Sequence, residues 1–176
     1  MKHRRLLTAG VVLTAFAVTV LCLLTFSEKY LLISNEETGE ILFRTEAKDG
    51  EEFSVSYIHS VNKSPVTEYY QIQDTDIYLT AMRFRAFGAG IPEQPEEGQT
   101  MRIEGEDMVI EGYLRPIHNL CYFVGYTAEH TLHWRDEAIR LDELTEPGEP
   151  VLFSVTDSPR LMIMLKEVSA AWSRTN

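Results

Sequence analysis

Three ionisable residues, His59, Lys63 and Glu68, occur close together at positions whose chemistry could serve a site. In a strand, the alternation of side chains places His59 on the same face as the aromatic residue Tyr57. Glu68 falls among apolar neighbours in the next run, and Lys63 lies in the turn between the two runs. Buried charges are normally paired, and a charged neighbour shifts the pKa of a buried group. The pattern predicts a binding site or, more plainly, a hairpin in which the three side chains satisfy one another.

A second group of candidate residues follows after about fifteen positions. Arg83 and Arg85 share one face of a strand, so their guanidinium groups could grip a carboxylate. Gly88 and Gly90 flank an alanine, and glycines at positive φ allow successive backbone N–H groups to converge on an anion. This group predicts a site for a small carboxylate. The plainer interpretation is a tight glycine bend beside arginines that pair with surface acids.

An enzyme can also be assembled from these residues. Ser60 with Lys63 would supply a nucleophile and a base, or His59 would act as a base oriented by Glu68. On a strand, however, Ser60 points away from His59, and no glycine-flanked nucleophile elbow surrounds it. We therefore expect no catalytic residues and treat an exported hydrolase as the alternative. The candidate binding cluster comprises His59, Ser60, Lys63, Glu68, Arg83, Arg85, Gly88 and Gly90.

The histidines outside this cluster do not have the spacing of a metal site. His130 and His133 are three residues apart, whereas the metalloprotease helix needs histidines four apart with a glutamate between them. In the strand expected here, the two side chains point to opposite faces. We therefore expect ordinary surface histidines, with no metal and no cofactor.

Short apolar runs, rich in β-branched and aromatic residues, must position the candidate residues. Gly, Pro, Asn and Asp separate the runs, and no helical period lies between them, which predicts a mostly β domain built as an antiparallel sandwich or small barrel. A short C-terminal helix is expected from Ser158-Pro159, with Ser158 as the N-cap, and a buried strand over Leu161–Leu165 is the alternative. The expected strands cover residues 30–34, 40–46, 52–59, 68–74, 77–84, 100–104, 108–114, 121–126, 131–135, 138–141 and 151–155.

The N-terminal segment predicts a membrane anchor. Three Lys/Arg residues precede a charge-free run from Leu6 to Phe26, which as a helix would be about 31 Å long and so match a bilayer core. Cleavage after Ala17, as in a signal peptide, is the alternative, but it would leave an apolar new N-terminus. We therefore expect an anchor over residues 1–26 and an extracytoplasmic domain over residues 27–176.

The charge of the chain agrees with that placement and limits the partners. The 176 residues carry a formal charge of −11, and the part after Phe26 has 13 Lys/Arg against 27 Asp/Glu, a charge of −14. The basic tip is expected inside the cytoplasm and the acidic domain outside, by the positive-inside rule. An acidic domain is a poor ligand for phosphate backbones, so we expect no nucleic-acid partner.

Two motifs resemble a family of unknown function. They are Tyr57-Ile58-His59-Ser60-Val61 followed by Lys63-Ser64-Pro65-Val66 and Glu68, and Phe87-Gly88-Ala89-Gly90-Ile91-Pro92. The family comprises small exported or membrane-anchored prokaryotic proteins whose genes often neighbour TAXI-type TRAP transporters. The resemblance implies an accessory role beside a carboxylate importer, with a transporter membrane subunit or a solute-binding protein as partner. It implies no reaction.

Overall fold

Eleven strands build the described part of the chain, which in this computed structural model covers residues 11–21, 27–88, 90–159 and 162. A single turn of 3-10 helix, η1 (Leu141–Glu143), follows the tenth strand. Every strand expected from the sequence is present, so the mostly β prediction is confirmed. The strands are β1 (Ser27–Asn35), β2 (Ile41–Ala47), β3 (Glu52–Ile58), β4 (Pro65–Gln73), β5 (Asp76–Phe84), β6 (Thr100–Glu104), β7 (Asp107–Pro116), β8 (Leu120–Phe123), β9 (Thr131–Trp134), β10 (Glu137–Arg140) and β11 (Pro150–Pro159).

The strands form two antiparallel sheets. One sheet has four strands in the order β2-β1-β11-β8, and the other has seven in the order β10-β9-β3-β4-β5-β7-β6. Both orders begin and end at a free edge, so neither sheet closes on itself within the described residues. The sandwich prediction therefore holds, and the small-barrel alternative is wrong.

Alternation along the strands of the seven-stranded sheet explains how the core forms. On β3, Phe53 and Val55 are buried, whereas Ser54 and Ser56 lie on the outer face. The four-stranded sheet contributes Phe153, whose ring stacks on that of Phe53 with centroids 6.0 Å apart. Burying one such side chain stabilises the fold by about 1.5–3 kcal/mol. These contacts pack the inner faces of the two sheets against each other.

A β-bulge keeps β5 facing the core along its whole length. Tyr70 pairs with Leu79, but the preceding Tyr69 pairs with Ala81, so Thr80 is an extra residue in β5. The Thr80 hydroxyl donates a hydrogen bond to the Tyr69 carbonyl, at 3.1 Å. The extra residue shifts the alternation, which lets Leu79 and Met82 both point inwards.

Residues Tyr30–Thr156 form one compact unit, and the described residues outside it belong to a second. In that second unit, residues 11–21 are helical, and the Thr19 hydroxyl donates to the Ala15 carbonyl at 2.9 Å. Within the described part of the chain, no helix is both long and apolar enough to cross a bilayer. Residues 1–10 and 22–26 of the expected anchor lie outside the described residues.

The C-terminal prediction is partly wrong. Ser158 and Pro159 do not start a helix, because they are the last two residues of β11. Met162 is helical, and the rest of the expected C-terminal helix lies outside the described residues.

Candidate functional site

The β3–β4 loop is a tight turn closed by backbone hydrogen bonds. The His59 N–H donates to the Ser64 carbonyl at 2.9 Å, and the Lys63 N–H donates to the His59 carbonyl at 3.0 Å. Lys63 adopts a φ of 52°, in the left-handed region that such a turn requires of one residue. The turn leaves the side chains of Ser60, Val61 and Lys63 exposed.

Asn62 fastens this turn to the segment that follows β5. Its side-chain amide donates to the carbonyls of Ala86 and Phe87, both at 3.1 Å, while its Oδ1 accepts a bond from the Ser64 hydroxyl at 3.1 Å. Two of these hydrogen bonds join loops that are more than twenty residues apart in sequence, and the third holds the turn itself. The sequence analysis did not single out Asn62, because an Asn before a proline-containing stretch reads as an ordinary turn residue.

Contact with Asn62 explains one of the two candidate glycines. A Cβ placed on Gly88 would lie 2.8 Å from the Asn62 Nδ2, so the Asn62 side chain packs directly against the backbone at Gly88. We name Gly88, Gly90 and Ile91 the glycine segment. Gly90 has a φ of 82°, and the Ile91 N–H donates to the Gly88 carbonyl at 3.0 Å. The Ile91 N–H is therefore occupied within the bend. Gly88 serves the packing between loops, and Gly90 serves the bend.

His59 is buried beneath the same turn. Its Nδ1 accepts a hydrogen bond from the Val61 N–H at 3.3 Å, and its Cε1 would be 3.6 Å from a Cβ on Gly88. Glu68 lies elsewhere, since it pairs with Val55, four residues before His59 on β3. That offset is about 13 Å along the strand direction. The structure thus does not assemble His59 and Glu68 as a base and its orienting acid.

Arg83 and Arg85 do bind a carboxylate together, but it is the side chain of Asp107 in the same chain. Arg83 Nη1 lies 3.3 Å from one oxygen of Asp107, and Arg85 Nε lies 3.0 Å from the other. The hydrogen bond from Arg85, followed by that from Arg83, holds the pKa of Asp107 below its usual range. Arg83 also pairs with Glu104, and Arg85 with Glu106. Both arginines therefore form ion pairs with acidic residues of the β6–β7 hairpin.

Five of the eight candidate residues are thus brought together at one end of the sandwich, around the β3–β4 turn, namely His59, Ser60, Lys63, Gly88 and Gly90. Within the described residues, no hydrogen bond joins Ser60 to Lys63, and no ion pair engages Lys63. Two apolar side chains are exposed in the turn and the segment joined to it, Val61 at 69% and Phe87 at 47%. We name Ser60, Val61, Lys63 and Phe87 the loop surface.

Glu68 belongs to a different group of residues, between the two sheets. One oxygen of its carboxylate, Oε2, accepts hydrogen bonds from the Tyr70 hydroxyl at 3.1 Å and from the Tyr122 hydroxyl. The two hydroxyls also lie 2.7 Å apart. Burial, and then the charge of Glu68, raise the pKa of Tyr70 well above its usual range, and burial is also the main cause of the raised pKa of Tyr122.

Two more rings complete this group, which we name the tyrosine cluster: Tyr57, Glu68, Tyr70, Tyr122 and His130. The centroids of Tyr57 and His130 are 5.4 Å apart, and those of Tyr122 and His130 are 5.6 Å apart. His130 is buried, so the expectation of a surface histidine is wrong at this position. Its Nδ1 accepts a hydrogen bond from the Gly125 N–H at 3.3 Å, and burial lowers its pKa.

Comparison with known proteins gives a family but no activity. Residues 53–141, half of the chain, match the family described as a domain of unknown function, DUF1850. The chain belongs to this family. No curated protein and no solved structure matches it.

The DUF1850 match contains both groups of residues described above. It runs from the second residue of β3 to the start of η1, and so includes nearly all of the seven-stranded sheet and one strand, β8, of the other. The β3–β4 turn, the glycine segment and the tyrosine cluster all lie within it. Strands β1, β2 and β11, which complete the four-stranded sheet, lie outside it.

The tyrosine cluster within the DUF1850 region was missed by the sequence analysis. The alternation on β4 correctly placed Glu68 among inward-facing residues, but it gave no indication that tyrosine hydroxyls would be its partners. Tyr57 and Tyr70 share the inward face with Glu68 across β3 and β4, which is a signal that could have been used. Tyr122 comes from the opposite sheet, and its proximity depends on how the two sheets stack.

Proposed function

We propose that this chain is a membrane-anchored extracytoplasmic accessory protein whose loop surface binds a protein component of a TRAP-type carboxylate importer. The observation that carries the proposal is the construction of the β3–β4 turn. Asn62 uses its whole side chain to fix the turn against the glycine segment, and His59 is buried beneath it. The fixed turn then presents the side chains of Ser60, Val61 and Lys63 to solvent, and Phe87 stays partly exposed although its ring also packs against Phe84.

The composition of the loop surface suits a protein partner. Val61 and Phe87 offer apolar area, and Lys63 carries a positive charge that no acid engages within the described residues. Rigid apolar residues bordered by a charge are typical of protein interfaces, because little conformational entropy is lost on binding. On a domain of charge −14, the exposed lysine of the loop surface would favour an acidic patch on the partner.

The carboxylate solute fits better on the importer than on this chain. Arg83 and Arg85, the groups expected to bind a small carboxylate, are already paired with Asp107 and its neighbours. The hydrolase alternative gains no support either, because neither Ser60 with Lys63 nor His59 with Glu68 forms a bonded pair among the described residues. An interaction role is the function that the arrangement supports best.

Membrane attachment rests on the sequence. The charge-free run from Leu6 to Phe26 and the three basic residues before it support an anchor with the domain outside. A reporter fused after Asn176 should be active only outside the cytoplasm. Activity confined to the cytoplasm would overturn the placement.

Co-purification tests the partner. Tagged full-length chain, solubilised from membranes in mild detergent, should carry transporter subunits or the solute-binding protein with it. The pair Val61→Glu and Phe87→Glu should abolish this, because both substitutions put charge into the apolar part of the loop surface. Leu114→Glu is the matched control. Leu114 is 75% exposed and lies near the end of β7 that is farther from the β3–β4 turn. Isolation of the wild-type chain as a monomer, or equal loss with Leu114→Glu, would contradict the proposal.

A further inference from the structure

The imidazole ring of His59 lies next to both parts of the loop surface. Its Nδ1 accepts a hydrogen bond from the Val61 N–H at 3.3 Å, within the β3–β4 turn. Its Cε1 lies 3.6 Å from the position that a Cβ on Gly88 would occupy, and Gly88 directly follows Phe87. The residue is only 9% exposed. The two apolar side chains of the loop surface therefore belong to the two backbone segments that flank this buried ring.

The bond from Val61 determines where the ring can take up a proton. A neutral imidazole has one N–H and one unprotonated nitrogen, and only the unprotonated nitrogen accepts a hydrogen bond. Nδ1 of His59 is that acceptor, so the neutral ring carries its proton on Nε2. A second proton can bind only at Nδ1, through the lone pair that the Val61 N–H uses. The bond to Val61 and the charged form of His59 therefore exclude each other.

A charged His59 is also incompatible with its burial beneath the turn. The new Nδ1–H would face the Val61 N–H, so two donors would meet, and a buried charge is costly unless it is paired and hydrogen-bonded. The ring reaches solvent only if the turn moves. The backbone of the same residue closes that turn, through the bonds from the His59 N–H to the Ser64 carbonyl and from the Lys63 N–H to the His59 carbonyl. Movement of the ring is therefore passed on to the turn.

The charged and titratable residues in the segments around His59 are Lys63, Arg85, Glu129 and His130. Lys63, in the same turn, is exposed and positive. Arg85, in the segment after β5, is positive and already pairs with acids of the β6–β7 hairpin. In the loop after β8, Glu129 is exposed, whereas His130 is buried and accepts a hydrogen bond of its own. Two of these four residues are cations, which oppose a further positive charge on the ring while the turn stays closed.

We propose that His59 makes the loop surface sensitive to acid: protonation of its Nδ1 breaks the bond to Val61, opens the β3–β4 turn and so lowers the affinity of the loop surface for its partner. The last step rests on the proposed function, and the opening of the turn does not. Because the closed turn excludes the proton and the open turn admits it, the open turn becomes more populated as the pH falls. Histidine is the side chain whose charge ordinarily changes between about pH 5 and 8.

Nuclear magnetic resonance of the full-length chain in detergent, with ¹⁵N-labelled valine, tests the opening of the turn without a partner. The Val61 amide signal, identified by its loss in Val61→Leu, should shift between pH 7 and 5. His59→Asn keeps an acceptor at the position of Nδ1 but cannot be protonated there, so its Val61 signal should stay in place. At pH 5 the Val61 amide of the wild type should exchange with solvent about fivefold faster than that of His59→Asn, the factor that one hydrogen bond is worth.

His130→Asn is the matched control for this measurement. His130 is also buried, and its Nδ1 also accepts a backbone N–H, that of Gly125. The shift of the Val61 signal should persist in this variant, because the proton that matters binds to His59. Loss of the shift in His130→Asn would contradict the assignment to His59.

Co-purification at the two pH values then tests release of the partner. The wild-type chain should retain about fivefold less partner at pH 5 than at pH 7, whereas His59→Asn should retain equal amounts at both. His118→Gln, a substitution of an exposed histidine, should behave like the wild type. The comparison between variants separates the contribution of His59 from any titration of the partner.

The inference is overturned by a Val61 signal that does not move between pH 7 and 5, or that moves equally in the wild type and His59→Asn. Should His59→Asn fail to fold, the ring signals of ¹⁵N-labelled histidine in the wild type decide, because a proton on Nδ1 of His59 at pH 7 would contradict the switch. Equal co-purification of the wild type at both pH values would overturn release. Absence of a partner at both pH values, with the Val61 response present, would instead overturn the proposed function and support the acid-sensitive turn.

Discussion

The hydroxyl of Tyr122 on β8 donates a hydrogen bond to the carboxylate of Glu68 on β4, and so joins the two sheets through a polar contact inside the core. Tyr70 shares the same carboxylate oxygen. Hydrophobic burial has no preferred direction, but a charged hydrogen bond requires a fixed distance and direction. The contact therefore selects one stacking of the sheets.

Removing this donor should destabilise the domain. Tyr122→Phe leaves the ring in place and deprives Glu68 of one of its two hydrogen bonds, so we expect a loss of about 1–3 kcal/mol in the free energy of unfolding. Urea unfolding followed by tyrosine and tryptophan fluorescence measures it. Tyr126→Phe is the control, because Tyr126 is 83% exposed. Equal stability of the two variants would show that the cross-sheet bond contributes nothing.

Stability should also fall at alkaline pH. Four of the eight tyrosines, Tyr57, Tyr70, Tyr113 and Tyr122, have raised pKa values in the fold, mainly through burial. Above the ordinary tyrosine pKa of about 10, the unfolded chain releases these protons while the folded chain retains them. The associated stability is complete below pH 10 and declines as the pH rises. Absorbance at 295 nm should therefore show the phenols of these four tyrosines ionising only above pH 10, together with unfolding. Ionisation of all eight near pH 10 in the folded protein would contradict this.

The strands were predictable because each carries its own signal. Alternation on β3 and β4 identifies the buried face without knowledge of the partner strand, and the glycine and aspartate turns identify the ends. The bulge at Thr80 was not predictable. It changes which residues of β5 face the core, and its position depends on pairing with β4 and β7.

The site was predictable only where local sequence determines it. The turn around Lys63 was located from the local sequence, but His59 and Ser60, which were expected on the strand, lie beyond the end of β3. Arg83, Arg85 and Glu68 were expected to converge with the turn residues, and they do not. Strand pairing places Arg83 on the outer face opposite Thr67, whereas Glu68 faces inwards beside Met82. The acids that engage the arginines come from β6 and β7, and no feature near Arg83 indicates them.

His130 predicts a change at mildly acidic pH. Burial lowers its pKa below 6.5, with Asp142 opposing the shift, and its Nδ1 must stay unprotonated to accept the bond from Gly125. The unfolded chain binds the proton more readily, so stability should be complete above pH 6.5 and fall as the pH decreases. His130→Gln should reduce this dependence in unfolding curves measured between pH 7 and 5. His118→Gln, at an exposed histidine, should retain it. Identical pH profiles for the wild type and His130→Gln would contradict the prediction.

The close packing of Gly88 against Asn62 predicts a compensating pair of substitutions. Gly88→Ala places its Cβ 2.8 Å from Asn62 Nδ2, which should cost about 1–3 kcal/mol through overpacking. In the Asn62→Ala background this clash is absent, and the remaining neighbour, His59 Cε1, is at an ordinary 3.6 Å. The double variant should therefore be more stable than the sum of the single effects by about 0.5–3 kcal/mol in urea unfolding. Gly90→Ala is the control: its φ of 82° makes it destabilising, but with open space around it the effect should add to that of Asn62→Ala. Additivity at both glycines would mean that the two loops do not touch through Asn62.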